Sequence, residues 1–306
     1  MNKKLLTYGL GTLLIASSML GATAYTANAN EVSMSVNVQV SQPTTTGINW
    51  GNGDNANIVA TGIGLPPENA GIHGRALARR AAIVDAYRNL AELLNGVQLD
   101  ADTVMENLII KSDTVRTKTS ALIKGAQIID EQEMMDGSYQ VKLMIPMYGA
   151  KNSVASVALP EMRPSPSVTP MPEVKSTTLP STVVRDLKTT NYTGIVVDAS
   201  GLGLDPTFAP VIYDENGRVV YGLQNLDYDF AINHGMVAYA TSLEDAKRPG
   251  NRGGSNPLVV KATAVRGGKN SVNKVNVVVS TEDGDRILLA CQNGAILQKA
   301  SVVFIR

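Results

Sequence analysis

Two histidines, one cysteine and a few runs of carboxylates are the side chains of this 306-residue chain best suited to chemistry. A zinc-type centre needs His and Cys at short spacing, because three or four ligands must converge on one ion. His73, His234 and Cys291 lie far apart and form no such set. A hydrolytic triad needs a histidine beside a serine and an acid, and the chain has no Gly-x-Ser-x-Gly elbow. His73, near a helix start, reads as a polar surface residue, and His234, beside Gly235, reads as loop or helix-end chemistry. Gly62-Ile63-Gly64 stands between a strand and a helix, the context of a dinucleotide-binding turn. Pro66 and Pro67, however, occupy the stretch whose backbone N–H groups would cradle phosphate, and no third glycine follows. The pair is read as a strand end with a flexible backbone. Gly201-Leu202-Gly203 fails similarly, with Pro206 at the third position.

Asp130, Glu131, Glu133 and Asp136 suit a solvated strand face and its turn, and Glu282, Asp283 and Asp285 suit a helix start, where the dipole favours negative charge. Cys291 falls in helical step with Ile287 and Gly294, the register of a buried, unreactive thiol. These residues yield no catalytic, cofactor-binding or metal-ligating assignment. The chain is read as non-enzymatic and without cofactor.

The elements around these residues divide into two folded regions. Val32, Met34, Val36, Val38 and Val40 alternate as a strand does, and Asn57–Gly64 is a second strand. An amphipathic helix is predicted from about Ala70 to Asn95, with Ala76, Ile83, Tyr87, Leu90 and Leu94 on its apolar face. Asn69 would cap its start and a left-handed Gly96 would end it. Asp85 with Arg88, and Arg88 with Glu92, are spaced to pair on its solvent face. Two shorter helices follow. The first is capped by Asp100 or Asp102 and runs through Val104 and Leu108. The second is capped by Ser112, with Val115, Leu122 and Ile123 inward and Gly125 as its stop. Gln127–Met134 and Ser138–Met147 then flank Asp136-Gly137 as a hairpin with a two-residue turn, and Tyr139, Val141, Leu143, Ile145 and Met147 share one face.

From Ala150 to Thr190 the chain is rich in Pro and Ser, which predicts an extended spacer. Beyond it, strands are predicted at Thr193–Ala199, Ala209–Tyr213, Arg218–Tyr221, Leu258–Arg266, Val272–Val279 and Ser301–Arg306. Ser280 and Asp283 form a partial capping box for a helix reaching about Leu297. The expected fold class is α+β with two domains. The first packs a long helix and short helices on a small antiparallel sheet; the second is a mixed, β-rich sheet with one or two helices.

The amino terminus has the plan of a secretory signal: Lys3 and Lys4, an apolar stretch over Leu5–Leu20, and Ala27-Asn28-Ala29 as a small-x-small cleavage site. Cleavage is expected after Ala29. The domain plan is then a signal peptide over 1–29, an α+β domain over 30–149, a linker over 150–190 and a β-rich domain over 191–306. A lone cysteine forbids an internal disulfide, and none stands where a lipoprotein signal is acylated, so no lipid anchor is expected. Lys plus Arg and Asp plus Glu each total 27, without a basic stripe, which disfavours nucleic acid as a partner.

Ala76-Leu77-Ala78-Arg79-Arg80-Ala81-Ala82-Ile83-Val84-Asp85-Ala86-Tyr87-Arg88-Asn89-Leu90 resembles the helix signature of the LPP-twenty lipoprotein family, also present in the amino-terminal part of flagellar assembly protein T. Asp102–Leu108, Val115-Arg116-Thr117, Ile123-Lys124-Gly125-Ala126 and the Asp136-Gly137 hairpin continue the likeness, which spans Asn57–Tyr148. Thr193–Gly222, with Gly201-Leu202-Gly203-Leu204 and Ile212-Tyr213-Asp214, is similar to a second part of longer relatives. The resemblance implies a bacterial envelope protein with a helix on a small sheet and carries over no catalytic residue. Its lipoprotein members are acylated on a cysteine that this chain lacks. The expected function is assembly or protein–protein interaction in the periplasm or cell envelope, with outer-membrane or flagellar components or by self-association. The alternatives are a flagellar basal-body scaffold, a small extracytoplasmic hydrolase or ligand-binding protein, and contact with a membrane surface through Arg75, Arg79, Arg80 and Arg88.

Overall fold

The computed structural model of the chain describes residues 45–51, 55–162, 172, 174, 177–268, 272–292 and 296–306. The expected signal segment and the Val32–Val40 strand lie outside the described residues. The fold is α+β with two domains.

In the first domain, strands β1 (Gly47–Asn49) and β2 (Asn57–Gly64) precede helices α1 (Gly74–Asn95), α2 (Met105–Lys111) and α3 (Asp113–Lys124). Strands β3 (Gln127–Glu133) and β4 (Tyr139–Pro146) complete an antiparallel sheet in the order β1-β2-β4-β3. Tyr139, Val141, Leu143, Ile145 and Met147 are all buried beneath the helices, as the alternation predicts. The helix face is narrower than large apolar residues alone would indicate. Its buried line is Gly74, Ala78, Ala82, Ala86, Leu90 and Leu94, while Ala76 is exposed and Ile83 and Tyr87 lie on the flanks.

That line of small residues exists because helix and sheet touch backbone to backbone. A Cβ at Gly62 would overlap the backbone of Ala82 and Ala86, and one at Gly64 would overlap that of Ala78 and Ala82. Gly62-Ile63-Gly64 is therefore a close-approach site, not a flexible strand end.

Several local expectations change. Asn69 does not cap α1: it adopts a left-handed conformation (φ 64°), and a short 3-10 turn at Gly71–His73 leads into the helix. Gly96 stays right-handed (φ −78°), closing the helix with its N–H on Glu92 O. Val104 occupies the cap position of α2, and Asp100 instead accepts the Asp102 N–H in a tight turn. Ser112 caps α3 as expected, its hydroxyl accepting from Val115 N at 3.3 Å. The hairpin loop has three residues, not two. Gly137 N donates to Met134 O, Met134 N donates to Ser138 O, and Gly137 takes the left-handed conformation (φ 79°) that this wider turn requires.

Two helices occur inside the Pro-rich stretch: α4 (Val154–Ala158), with Val154, Ala155, Val157 and Ala158 buried, and α5 (Ser181–Thr189). The second domain contains β5 (Ile195–Asp198), β6 (Ile212–Asp214), β7 (Val219–Tyr221), α6 (Tyr228–His234), β8 (Ala238–Ala240) and α7 (Leu243–Ala246). It ends with β9 (Leu258–Arg266), β10 (Asn276–Val279), α8 (Thr281–Cys291) and β11 (Val302–Ile305). Its mixed seven-stranded sheet runs β7-β6-β10-β9-β5-β11-β8.

Strands β9, β5, β11 and β8 are mutually parallel; the apolar runs of β5, β11 and β8 are buried on both faces, whereas β9 alternates buried and exposed residues. Val196, Ala238, Ala240, Val303 and Ile305 form one cluster with Ala246 of α7, whereas Ile195, Val197, Val302 and Phe304 belong to the main core. Helix α8 starts where Ser280 accepts the Asp283 N–H at 3.0 Å, but it stops at Cys291; Leu297 lies in a turn that returns the chain to β11.

The two domains join along a seam of main-chain bonds and aromatic rings. Phe208 and Ala209 donate their N–H groups to Gln98 O and Leu99 O at 3.2 and 2.8 Å, and Gly149 N donates to Ile232 O at 2.9 Å. The Phe208 ring lies edge-on to Trp50 and Tyr148 at 5.5 and 5.2 Å between centroids.

Candidate functional site

The residues singled out for chemistry are held apart and committed to structure. His73 is exposed in the turn before α1. His234 ends α6 in the other domain, with its ring 4.5 Å from that of Phe230. The hairpin carboxylates form surface ion pairs: Asp130 with Lys142 at 3.3 Å, Glu131 with Arg79 at 2.9 Å and Glu133 with Arg75 at 3.0 Å. Asp136 accepts from the Ser138 hydroxyl, its chief influence, and from the Ser138 N–H; both bonds hold its carboxyl below the usual range. Cys291 is buried, and the loss of water around it pushes its thiol up to about 12, so it is no nucleophile near neutrality.

Asp285 does more than sit at the helix start expected for it. It is buried and accepts from Arg218 Nη2 at 2.7 Å, while Arg218 Nε donates to the equally buried Asp214 at 2.9 Å. Asp214 also accepts the N–H groups of Asn216 and Arg218, so it fastens the β6–β7 turn while the arginine ties that turn to α8. Sequence distance concealed this network, since Arg218 and Asp285 stand 67 residues apart.

One concavity lies on the seam. A cleft of about 700 Å³ is lined by Asp100, Asp102, Tyr213, Arg266 and Asn276 among others, with the Arg266 guanidinium 3.6 Å above the Tyr213 ring. Neither histidine lines it. Its Asn276 already serves the fold by accepting the Val211 N–H, and the Asp102 carboxylate packs directly against Gly268.

Among the described residues, strand β1 covers β2 only as far as Val59, and the outer edge of Thr61 and Ile63 has no strand partner there. Asp85 accepts the Ile63 N–H at 2.9 Å, and Asn89 donates to Thr61 O at 2.8 Å. Two side chains of α1 thus close the open edge, which is why Asp85 faces the sheet instead of Arg88.

Residues 64–145 match the LPP20 lipoprotein family. The match spans α1 to β4; within it, α1 places alanines where helix meets strand, and Asp85 and Asn89 where a strand edge needs closing. Residues 194–306 match the second domain of Treponema pallidum Tp0624, so the second likeness runs past Gly222 to the last strand. A comparison with curated proteins finds no match.

Among the described residues, the LPP20-like domain also leaves an apolar end uncovered. Ile63 and Leu65 are 56% and 70% exposed, Ile72 is 93% exposed and Met135 is fully exposed, with Met134 beside it. The strand register brings these segments together. Gly64 pairs with Tyr139 just beyond the hairpin loop, and Pro66 is wedged between Gly74 and Gly137. The two salt-bridged arginines, Arg75 and Arg79, stand beside this end; Arg80 and Arg88 are exposed elsewhere on the helix.

Proposed function

We propose that this chain is a non-enzymatic cell-envelope protein that works by assembly, using the apolar end of its LPP20-like domain as the contact surface. The observation that carries this reading is that end itself. Single exposed apolar residues are ordinary, but large ones grouped on three adjacent segments have the character of a contact surface. Similarity to a lipoprotein family supports an envelope setting. The commitment of the hairpin carboxylates, Asp285 and Cys291 to pairing or burial supports a role without catalysis. The export signal ending at Ala29 belongs to the same reading, and amino-terminal sequencing of the protein from cells tests it. A flagellar basal-body role is its narrower form, excluded by normal motility in a deletion strain.

The direct test places a photo-cross-linking residue at Leu65, Ile72 or Met135 and, as a control, at exposed Ser120 on α3. Adducts at the three apolar positions, absent at Ser120, are expected in cells. An equal yield at Ser120, or no adduct at any of the three, removes the proposal.

A further inference from the structure

The contact surface proposed above leaves its occupant open, and its rim narrows the choice. The side chains of Ile63, Leu65, Ile72, Met134 and Met135 expose on the order of several hundred Å² in all, enough for the apolar core of a standard interface of roughly 800 Å² per partner. We propose that the occupant is a second copy of this chain, docked through the same end about a two-fold axis. This rests on the reading that the apolar end is an assembly surface.

Charge favours a copy over a lipid surface. An anionic bilayer recruits unmatched cations around an apolar wedge, whereas Arg75 and Arg79 beside this end are already matched by Glu133 and Glu131. A rim of alternating cation and anion is self-complementary. In a two-fold contact the arginine of one subunit can face the glutamate of the other. The geometry suits it as well. Met135 stands on a hairpin tip and Ile72 on the turn before α1, with Pro66 between these segments, so both can enter one contact.

Two measurements decide the question. In sedimentation equilibrium of the purified chain, a mass of two chains is expected. The double variant Ile72→Asp/Met135→Asp should return it to one chain with an unchanged far-ultraviolet circular dichroism spectrum. Met135→Cys is the second variant, and a short bismaleimide should join two copies of it, Cys291 being buried and out of reach. A wild-type chain that stays monomeric at all soluble concentrations overturns the proposal. So does a dimer that survives the double substitution, or co-sedimentation of monomers with phosphatidylglycerol–phosphatidylethanolamine vesicles that the substitution abolishes. The cellular adducts separate the two levels of inference. Adducts holding only this chain support self-association; adducts with another protein overturn it while sustaining the assembly surface; no adducts overturn both.

Discussion

The two domains solve the packing of helix on sheet in opposite ways. In the LPP20-like domain, α1 approaches β2 until no side chain fits between them, and Gly62 and Gly64 meet Ala78, Ala82 and Ala86. Charges there remain outside as exposed ion pairs. In the second domain, α8 sits off the sheet on ordinary side chains, and charge goes inward with Asp214 and Asp285 buried around Arg218. Close approach tolerates no added volume, whereas a buried ion network tolerates no missing partner. The first domain should therefore be most sensitive to one extra methyl group, and the second to one missing charge.

Gly62→Ala is the strongest way to break this contrast. Its Cβ meets backbone, which cannot rotate aside, so a loss of more than about 3 kcal/mol is expected in urea unfolding. Gly284→Ala in α8 is the matched contrast, because its Cβ would lie 3.2 Å from side-chain atoms of Arg218 and Val220 and would not run into backbone. If the two substitutions cost the same, the contrast fails. Next in size is Arg218→Met, which leaves two buried carboxylates without their cation. About 2–3 kcal/mol should be lost, below the roughly 3–5 kcal/mol of fully buried pairs because the arginine is itself partly exposed.

Asp85→Ala should cost about 1 kcal/mol by leaving the Ile63 N–H without its acceptor. Combined with Asn89→Ala it should open the β2 edge, detectable as concentration-dependent aggregation that the wild-type chain lacks. The smallest effect concerns acid. The Ser200 hydroxyl, and secondly its N–H, hold the Asp198 carboxyl below its usual range. A carboxyl lowered in the folded state adds stability above its unfolded value, and that increment is lost as pH falls through the folded value. Ser200→Ala should thus leave a shallower loss of stability below about pH 4, read from urea midpoints at pH 7 and pH 3.

Legibility in the sequence followed the range of each interaction. The β4 alternation, the Ser112 cap and the apolar step of α8 through Ile287 and Cys291 are local patterns, and all three are found in place. The face of α1 was partly hidden, because large residues such as Ile83 and Tyr87 draw the eye while alanines at every fourth position mark the contact. Alanines at that spacing opposite alternating strand glycines would have revealed it. Helices α6 and α7 and strand β8 are too short to show a period, and they are fixed by the sheet around them. The Arg218–Asp285 network is invisible for another reason: nothing local to either residue specifies the other. The uncovered apolar end was hidden likewise, since Leu65, Ile72 and Met135 become neighbours only through strand register and the wedge of Pro66.

The seam at Gln98 carries a kinetic consequence. The Thr207 hydroxyl reaches Gln98 O across 109 residues of chain, next to the two main-chain bonds made by Phe208 and Ala209. Contacts that span so much sequence form slowly, because a long loop must close before any of them can hold. The LPP20-like domain can gather its helix and hairpin from nearer residues, so docking of the second domain should be the late step of folding. Until then Gln98 and Leu99 offer unpaired carbonyls to any passing strand, and a chaperone acting on this protein would have most to do in that interval.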